Sequence, residues 1–132
     1  MNRREKIERL IKRLSHEKDA VRSSAALSLG SLRAREAVSA LVPKLRDPSR
    51  EMKRSVAMAL ILIGDPRALP RLMRQLDSPD QALRCWSAAV VRKLSGKGFR
   101  FKDNATFDAI EEAIPRIKAW WERRKRSSHR KK

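Results

Sequence analysis

The sequence repeats itself at an interval of 31 residues, three times in succession and without a gap. The stretches DAVRSSAALSLGSL, REMKRSVAMALILI and QALRCWSAAVVRKL are three copies of one pattern. Equivalent residues are Leu10, Leu41 and Leu72; Leu14, Leu45 and Leu76; and Ala26, Ala57 and Ala88. Self-similarity at this period is the signature of stacked repeats, which bury a shared core between neighbouring units. The chain is therefore predicted to form three layers, each shaped to fit the next.

Each unit is predicted to contain two helices. In the first unit, apolar residues recur at helical spacing from Val21 to Leu32. The turns RDPS and DSPD supply Asp or Ser caps, and GDP at Gly64–Pro66 ends one helix and caps the next with Asp65. Pro43 lies inside a first helix, where we expect a kink. The predicted helices cover residues 4–15, 19–33, 36–46, 49–63, 66–77, 80–95 and 107–126.

The two-helix units resemble HEAT-like repeats, in particular the short bacterial kind. The family pattern DPxxxVRxxAAxALGxLGDPxAxPxLxxxL is visible in KDAVRSSAALSLGSLRAREAVSALVPKL and in DPSREMKRSVAMALILIGDPRALPRLMRQL. The usual glycine is present as Gly30 in the first unit but is replaced by Ile61 in the second. The resemblance implies an all-α fold, a short right-handed α-solenoid of three two-helix repeats near 4–33, 36–63 and 66–95.

The C-terminal segment LSGKGFRFKDNATFDAIEEAIPRIKAWWERRKR breaks the period. It resembles the tail that follows such repeats in many bacterial proteins, a Gly/Phe loop and then a helix that ends in WW. Its apolar residues form one helical face, and the open end of a solenoid needs a cover, so we predict a capping helix at 107–122. Pro115 should bend this helix or end a first segment of it. We expect one domain over 1–122 and a basic, disordered tail at 123–132.

The chain is strongly basic, with 33 Lys and Arg against 15 Asp and Glu and a formal net charge of +18. The excess is concentrated at the ends, because residues 116–132 contain nine basic residues and one acidic residue. Such a charge favours anionic partners, namely nucleic acid, anionic lipid or acidic protein. One cysteine excludes a disulfide framework, and no apolar run is long enough to span a bilayer. A cytoplasmic location is expected from these features.

Residues that could carry catalysis are sparse. His16 falls in a predicted turn and His129 in the tail, while Cys85 occupies a position predicted to be at least half-exposed and has no histidine partner. The sequence contains no glycine-rich phosphate loop, metal-ligand spacing or dinucleotide fingerprint. We therefore expect a protein that is not an enzyme and that has no cofactor, metal or small-molecule substrate.

Six cations of the second helices are the candidate binding residues. Arg22, Lys53 and Arg84 occupy the same position of the three units and would stack about one helix-packing distance apart. The alternative interpretation is structural, in which this position pairs with a turn carboxylate such as Asp47 or Asp77, or with a turn carbonyl. The full candidate set for a partner or an anion is Arg22, Lys53, Arg54, Arg84, Arg92 and Lys93.

A second cationic group lies in the tail and can neutralise phosphates with little geometric demand. Trp120 and Trp121 beside it either stack on bases or pack in the core of the cap. Trp86 either packs against the cap or stacks on a ligand. The candidate phosphate contacts are Arg123, Arg124, Lys125, Arg126, Arg130, Lys131 and Lys132.

The resemblance implies that the second helices line the concave face, where solenoids bind their partners. We predict a non-enzymatic binding module or adaptor that recognises an acidic protein partner through that face. The alternative is DNA or RNA binding through the same basic groove and the basic tail. Membrane binding by the basic N-terminal helix is not expected, because its apolar face is needed to cover the first repeat.

Overall fold

The computed structural model describes the backbone of residues 1–130 and the side chains of residues 1–127. Within that part of the chain there are helices and turns but no β-strand. The α-helices are α1 (Arg3–Arg13), α2 (Asp19–Ser31), α3 (Val38–Leu41), α4 (Arg50–Ile63), α5 (Leu69–Gln75), α6 (Gln81–Ser95) and α7 (Phe107–Arg130). Short 3₁₀ segments occupy Arg35–Ala37, Val42–Arg46 and Pro66–Ala68. The chain is an all-α solenoid of three two-helix repeats followed by a C-terminal helix.

The turns that separate the helices cap them as the sequence predicts. The hydroxyl of Ser49 accepts a hydrogen bond from the Met52 N–H at 3.2 Å, and a carboxylate oxygen of Asp80 accepts one from the Ala82 N–H at 3.0 Å. These side chains satisfy amide donors that a helix start leaves without a partner in the helix. The caps at RDPS and DSPD are therefore confirmed.

The GDP turn ends α4 and begins the next helix of the chain. Gly64 adopts a left-handed conformation with φ of 64°, and its N–H donates to the carbonyl of Leu60. Asp65 then accepts a hydrogen bond from the Arg67 N–H at 3.0 Å, and Pro66 occupies the first helical position. Glycine tolerates the left-handed backbone that ends α4. Proline is tolerated at the first position of the next helix, because an N–H at that position has no hydrogen-bond partner within the helix.

Proline changes the first helix of the second repeat, as expected. The α-helical part covers only Val38–Leu41, and the chain continues as 3₁₀ helix over Val42–Arg46. Pro43 has no N–H to donate to the carbonyl of Ser39, and its ring crowds that carbonyl. The predicted kink therefore takes the form of a change in helix type.

The second helices, α2, α4 and α6, pack side by side and contribute many residues to the core. A Cβ atom at Gly30 of α2 would lie 2.8 Å from the Cα of Ala59 in α4, so the two backbones approach as closely as glycine allows. Leu29 and Leu60 are fully buried beside this contact. Burial of such a side chain contributes about 1.5–3 kcal/mol relative to exposure. Small residues thus set the spacing of the helices, and leucines fill the space between them.

The C-terminal helix covers the third repeat. The hydroxyl of Thr106 accepts a hydrogen bond from the Ala109 N–H at 3.2 Å and starts α7. Its face that carries Ile110, Ile114 and Ile117 is buried in the common core. A closed end is what an isolated stack of repeats requires, because its last apolar face has no following unit.

The last helix is longer than predicted. It runs through Pro115 without ending there, although proline removes one hydrogen bond of the helix. It also continues over residues 123–130, where the sequence predicted a disordered tail. Arginine, lysine and glutamate are good helix formers, and Lys125 pairs with Glu122 at 2.9 Å across one turn, so the cationic segment extends the helix.

Candidate binding groove

A groove runs between α4 and α6 and has a volume of about 180 Å³. We call it the α4–α6 groove. Its main lining residues are Arg54, Met58, Ile61, Trp86, Ala89, Arg92 and Lys93 from the two helices, and Phe101, Lys102 and Asp103 from the loop before α7. Helices of consecutive repeats thus supply the walls, and the loop that leads into the cap closes one side.

The floor of the groove is apolar. Met58 is 47% exposed, and Trp86 is half-buried beside it. Met58 occupies the same position of its repeat as Leu27, which is 42% exposed on α2. The fold therefore leaves apolar side chains uncovered along the second helices, and between α4 and α6 they line a concave surface.

The rim of the groove is cationic, with Arg54, Lys93 and Lys102 all exposed. Arg92 is more constrained, because its guanidinium lies 5.4 Å from the centroid of the Phe101 ring and also donates to the carbonyl of Gly98. A cation over an aromatic face is attracted by the ring quadrupole. The structure therefore brings three of the six predicted cations, Arg54, Arg92 and Lys93, to one apolar groove.

One carboxylate interrupts this rim. Oδ1 of Asp103 accepts hydrogen bonds from Arg92 at 2.5 Å and from Lys93 at 2.9 Å. These two bonds hold the pKa of Asp103 below its usual value. Asp103 is exposed, so the pairs are open to water and to competing anions. The loop thus supplies an internal carboxylate at the place where an acidic partner would bind.

The predicted cationic row of Arg22, Lys53 and Arg84 does not face this groove. Arg22 forms a two-point ion pair with Asp47, with Nε to Oδ2 at 2.8 Å and Nη2 to Oδ1 at 3.0 Å. Its Nη1 donates to the carbonyls of His16 and Glu17. The guanidinium therefore ties the first repeat to the turn of the second, as the structural interpretation of this position expects.

Arg84 ties the third repeat to the cap in the same way. Its guanidinium pairs with the carboxylate of Glu111 on α7 and donates to the carbonyl of Ser78 at 2.8 Å. Lys53 is half-buried, and no ion pair involves it within the part of the chain that the structure describes. Asp77, a predicted partner of this row, pairs instead with Lys118 of α7.

Cys85 is buried, which corrects the expectation of an exposed or half-exposed position. α7 packs on this part of α6, and the thiol donates a weak hydrogen bond to the carbonyl of Phe107 at 3.6 Å. Burial, with a further contribution from the nearby Glu111, raises the pKa of the thiol to about 11. A protonated, buried thiol is a poor nucleophile.

The described part of the cationic C-terminal segment lies along α7. Arg123, Arg124 and Arg126 are exposed, and the Arg124 guanidinium lies 5.6 Å from the Trp120 ring centroid. Both Trp120 and Trp121 pack against the core with one part of the side chain and keep another part exposed. Of the remaining predicted phosphate contacts, Lys125 is exposed. The side chains of Arg130, Lys131 and Lys132 lie outside the described residues.

Sequence reasoning did not identify the loop residues Phe101 and Asp103 as part of the groove. They lie outside the repeat, so no equivalent position points to them. Met58 did carry a signal, because Leu27 places a large apolar residue at the same point of the first unit.

Among the described residues, no group of three His, Cys, Asp or Glu side chains is close enough to hold a metal ion. Nor is any described helix both long and apolar enough to cross a membrane.

Comparison with protein-family models matches residues 7–92 to the HEAT repeats. The matched part extends from the middle of α1 almost to the end of α6, and therefore covers most of the three repeats. A search of curated proteins found no match. HEAT repeats generally form non-catalytic scaffolds and commonly serve as protein-interaction modules.

Proposed function

This chain belongs to the HEAT-repeat family, and we propose that it is a non-enzymatic adaptor that binds an acidic protein partner. The α4–α6 groove is the binding surface, on the side of the second helices that the resemblance predicts to be concave. The repeats are proposed to be of the short bacterial kind, and the helix that ends in WW to be the cap that accompanies them. A cytoplasmic location is part of the same proposal.

The observation that carries this proposal is an apolar floor enclosed by a cationic rim. Met58, Ile61 and Trp86 offer apolar surface, while Arg54 and Lys93 offer positive charge at its edge. A hydrophobic centre surrounded by a polar rim is the usual anatomy of a protein interface. The partner segment is therefore expected to insert one or two apolar side chains and to place Asp or Glu on either side of them.

The direct test uses a fluorescent peptide of about 15 residues, long enough for about four helical turns, with Leu or Phe flanked by Glu. Two matched peptides replace either all Glu by Gln or the apolar residues by Ala. Anisotropy at about 0.15 M salt should show binding of the first peptide and roughly tenfold weaker binding of each matched peptide. Equal affinity for the Gln peptide would exclude the acidic preference.

A pair of variants locates the site. Met58→Glu places a negative charge in the groove, whereas Leu27→Glu places the same charge at the equivalent position of the first repeat. Both residues are exposed, so neither change disturbs the core. Peptide binding should fall roughly tenfold for Met58→Glu and less than about twofold for Leu27→Glu. Equal losses would mean that long-range charge, and not the groove, governs binding.

The second candidate function is binding of DNA or RNA through the basic groove and the C-terminal cations. One observation favours it, namely that Arg123, Arg124 and Arg126 are exposed along the last turns of α7. Binding to a labelled duplex should then weaken steeply with salt, with a log–log slope near −0.9 for each phosphate contact. Loss of this binding on removal of residues 123–132, with no effect of Arg54→Glu, would assign it to the cationic end alone.

A further inference from the structure

A second concave site lies at the cap, between α7 and the loop that precedes it. We call it the cap pocket; its volume is about 430 Å³, within the range of roughly 300–1,000 Å³ typical of small-ligand pockets. Its principal lining residues are Lys97, Phe99, Arg100, Arg116, Trp120 and Arg123. It shares no lining residue with the α4–α6 groove.

The charge of this pocket differs from that of the groove. Lys97, Arg100 and Arg123 are exposed at its edge, and none of its lining residues is acidic. Arg116 and Arg123 lie seven residues apart on one face of α7, about 10.5 Å along the helix axis. The cations are therefore spread around the pocket and not gathered at one point, an arrangement suited to a ligand with several negative groups.

The pocket also has an aromatic wall. Phe99 and Trp120 meet edge to face, with ring centroids 5.6 Å apart and planes at 71°. Both rings are only partly buried, although each packs against the core on one side. Aromatic rings beside a cationic surface are the combination that proteins use to stack bases of single strands while holding the phosphates.

The loop that carries Phe99 and Arg100 has an uncommon backbone conformation. Phe99 and Arg100 have φ values of 52° and 66°, in the left-handed region that residues other than glycine rarely adopt. Nε of Arg116 donates to the carbonyl of Phe99 at 3.0 Å and fixes the loop against α7. Backbone of this kind persists where surrounding contacts impose it, and it is concentrated at binding sites.

We propose that the cap pocket binds single-stranded nucleic acid. One base stacks against the aromatic pair Phe99 and Trp120, and the flanking phosphates contact Lys97, Arg100 and Arg123. This proposal rests on the second candidate function and gives it a specific site, while it is independent of the adaptor function. A duplex does not fit the site equally well, because its bases are stacked within the helix and cannot reach the aromatic wall.

The first test compares probes on the full chain. A labelled oligothymidine of about ten nucleotides, within the usual site size of a single-strand binder, is compared with an abasic strand of the same length and with a duplex. The thymidine strand should bind at least about fivefold more tightly than the abasic strand, the lower end of what stacking one base contributes. Equal binding of these two strands, or tighter binding of the duplex, would overturn the proposal.

The second test compares two variants with the same change of charge. Arg100→Gln with Arg123→Gln removes two pocket cations, whereas Arg9→Gln with Lys12→Gln removes two exposed cations from α1. The pocket variant should bind the thymidine strand roughly tenfold more weakly, with a salt slope shallower by about 1.4. The α1 variant should change affinity less than about twofold. Equal losses would show that net charge alone attracts the strand.

A third variant tests the stacking itself. Phe99→Leu keeps an apolar side chain at the wall but removes its ring. It should reduce the preference for the thymidine strand over the abasic strand, while leaving binding of the abasic strand unchanged. An unchanged preference would overturn the stacking. If strand binding persists but no pocket variant affects it, this site is wrong and the second candidate function stands; if no strand or duplex binds, both are wrong.

Discussion

The carboxylate of Asp103 lies 2.9 Å from the ammonium of Lys93, at the cationic rim of the α4–α6 groove. The same oxygen also accepts a hydrogen bond from Arg92. An acidic partner that binds this rim must compete with a carboxylate supplied by the chain itself. We therefore expect the affinity of the groove for such a partner to depend on a loop that lies outside the repeats.

Replacing Asp103 by Asn should strengthen binding of the acidic peptide. The amide cannot form the ion pairs, so Arg92 and Lys93 become available to the carboxylates of the peptide. The expected gain is about two- to fivefold, because exposed pairs of this kind are weak. Anisotropy titration of both proteins at the same salt concentration measures it. Glu17→Gln, the same change of charge at an exposed site away from the groove, should leave the affinity unchanged, and an equal gain there would contradict this prediction.

The ion pair of Arg22 with Asp47 should make the stability of the fold depend on acid pH. Burial tends to raise the pKa of Asp47, but hydrogen bonds from Arg22 and from the Ser49 N–H lower it by more. The net pKa is therefore below its usual value. The carboxylate binds a proton more readily in the unfolded chain. The stabilisation is therefore complete above the unfolded pKa of about 3.9 and is lost as pH falls through the lower folded pKa.

Urea unfolding of the wild type and of Asp47→Asn checks this prediction. The variant should be less stable at neutral pH, and the difference from the wild type should shrink as the pH falls below about 4. The exposed pair of Asp77 with Lys118 provides the control. Asp77→Asn should have little effect on stability at any pH, since exposed ion pairs contribute little. A constant difference for Asp47→Asn across the pH range would contradict the linkage.

Replacing Gly30 by Ala should destabilise the fold. The new methyl group would lie 2.8 Å from the Cα of Ala59, so the backbones of α2 and α4 must move apart. Overpacking of this kind typically costs about 1–3 kcal/mol, which outweighs the gain of up to about 1 kcal/mol from better helix propensity. Chemical denaturation measures the change. Gly98→Ala is the matched control, because nothing lies within 4 Å of the Cβ it would add.

The Cys85 thiol should be inert in the folded protein. Its side chain is buried and its pKa is raised to about 11, so at pH 8 nearly all of it is protonated. A thiol reagent should therefore label the native chain far more slowly than the urea-unfolded chain, in which the thiol is exposed and has an ordinary pKa of about 8.5. Rapid labelling of the native protein at pH 8 would contradict both the burial and the shift.

The local features of the fold were largely predictable from the sequence. The interval between repeats, the caps at Ser49, Asp65 and Asp80, the glycine stop at Gly64 and the break at Pro43 are properties of a few neighbouring residues. Each depends on backbone hydrogen bonds or on a fixed dihedral angle within one turn of the chain. Such features can be predicted without knowing which other segments pack against them.

The candidate site was only partly predictable. Six cations were identified, and the structural interpretation already offered Asp47 as a partner for the position of Arg22, but the sequence left open whether this position pairs within the fold or binds a partner. Whether a cation pairs within the fold or stays available is decided by its distance to a carboxylate. For Arg22 and Arg84 these carboxylates are Asp47 of the following repeat and Glu111 of the cap. Spacing along one helix cannot report a contact with a residue that is 25 or 27 positions away.

By itself, the sequence determined the number of layers, the helical content and the strongly positive charge, because these follow from periodicity and composition. Only the tertiary structure decided which cations remain available, that Cys85 is buried, and that Asp103 and Phe99 help to form two separate concave sites. These outcomes arise where the non-repeating loop and α7 fold back on the third repeat. The contacts there form between segments with no shared pattern, so packing in three dimensions alone selects them.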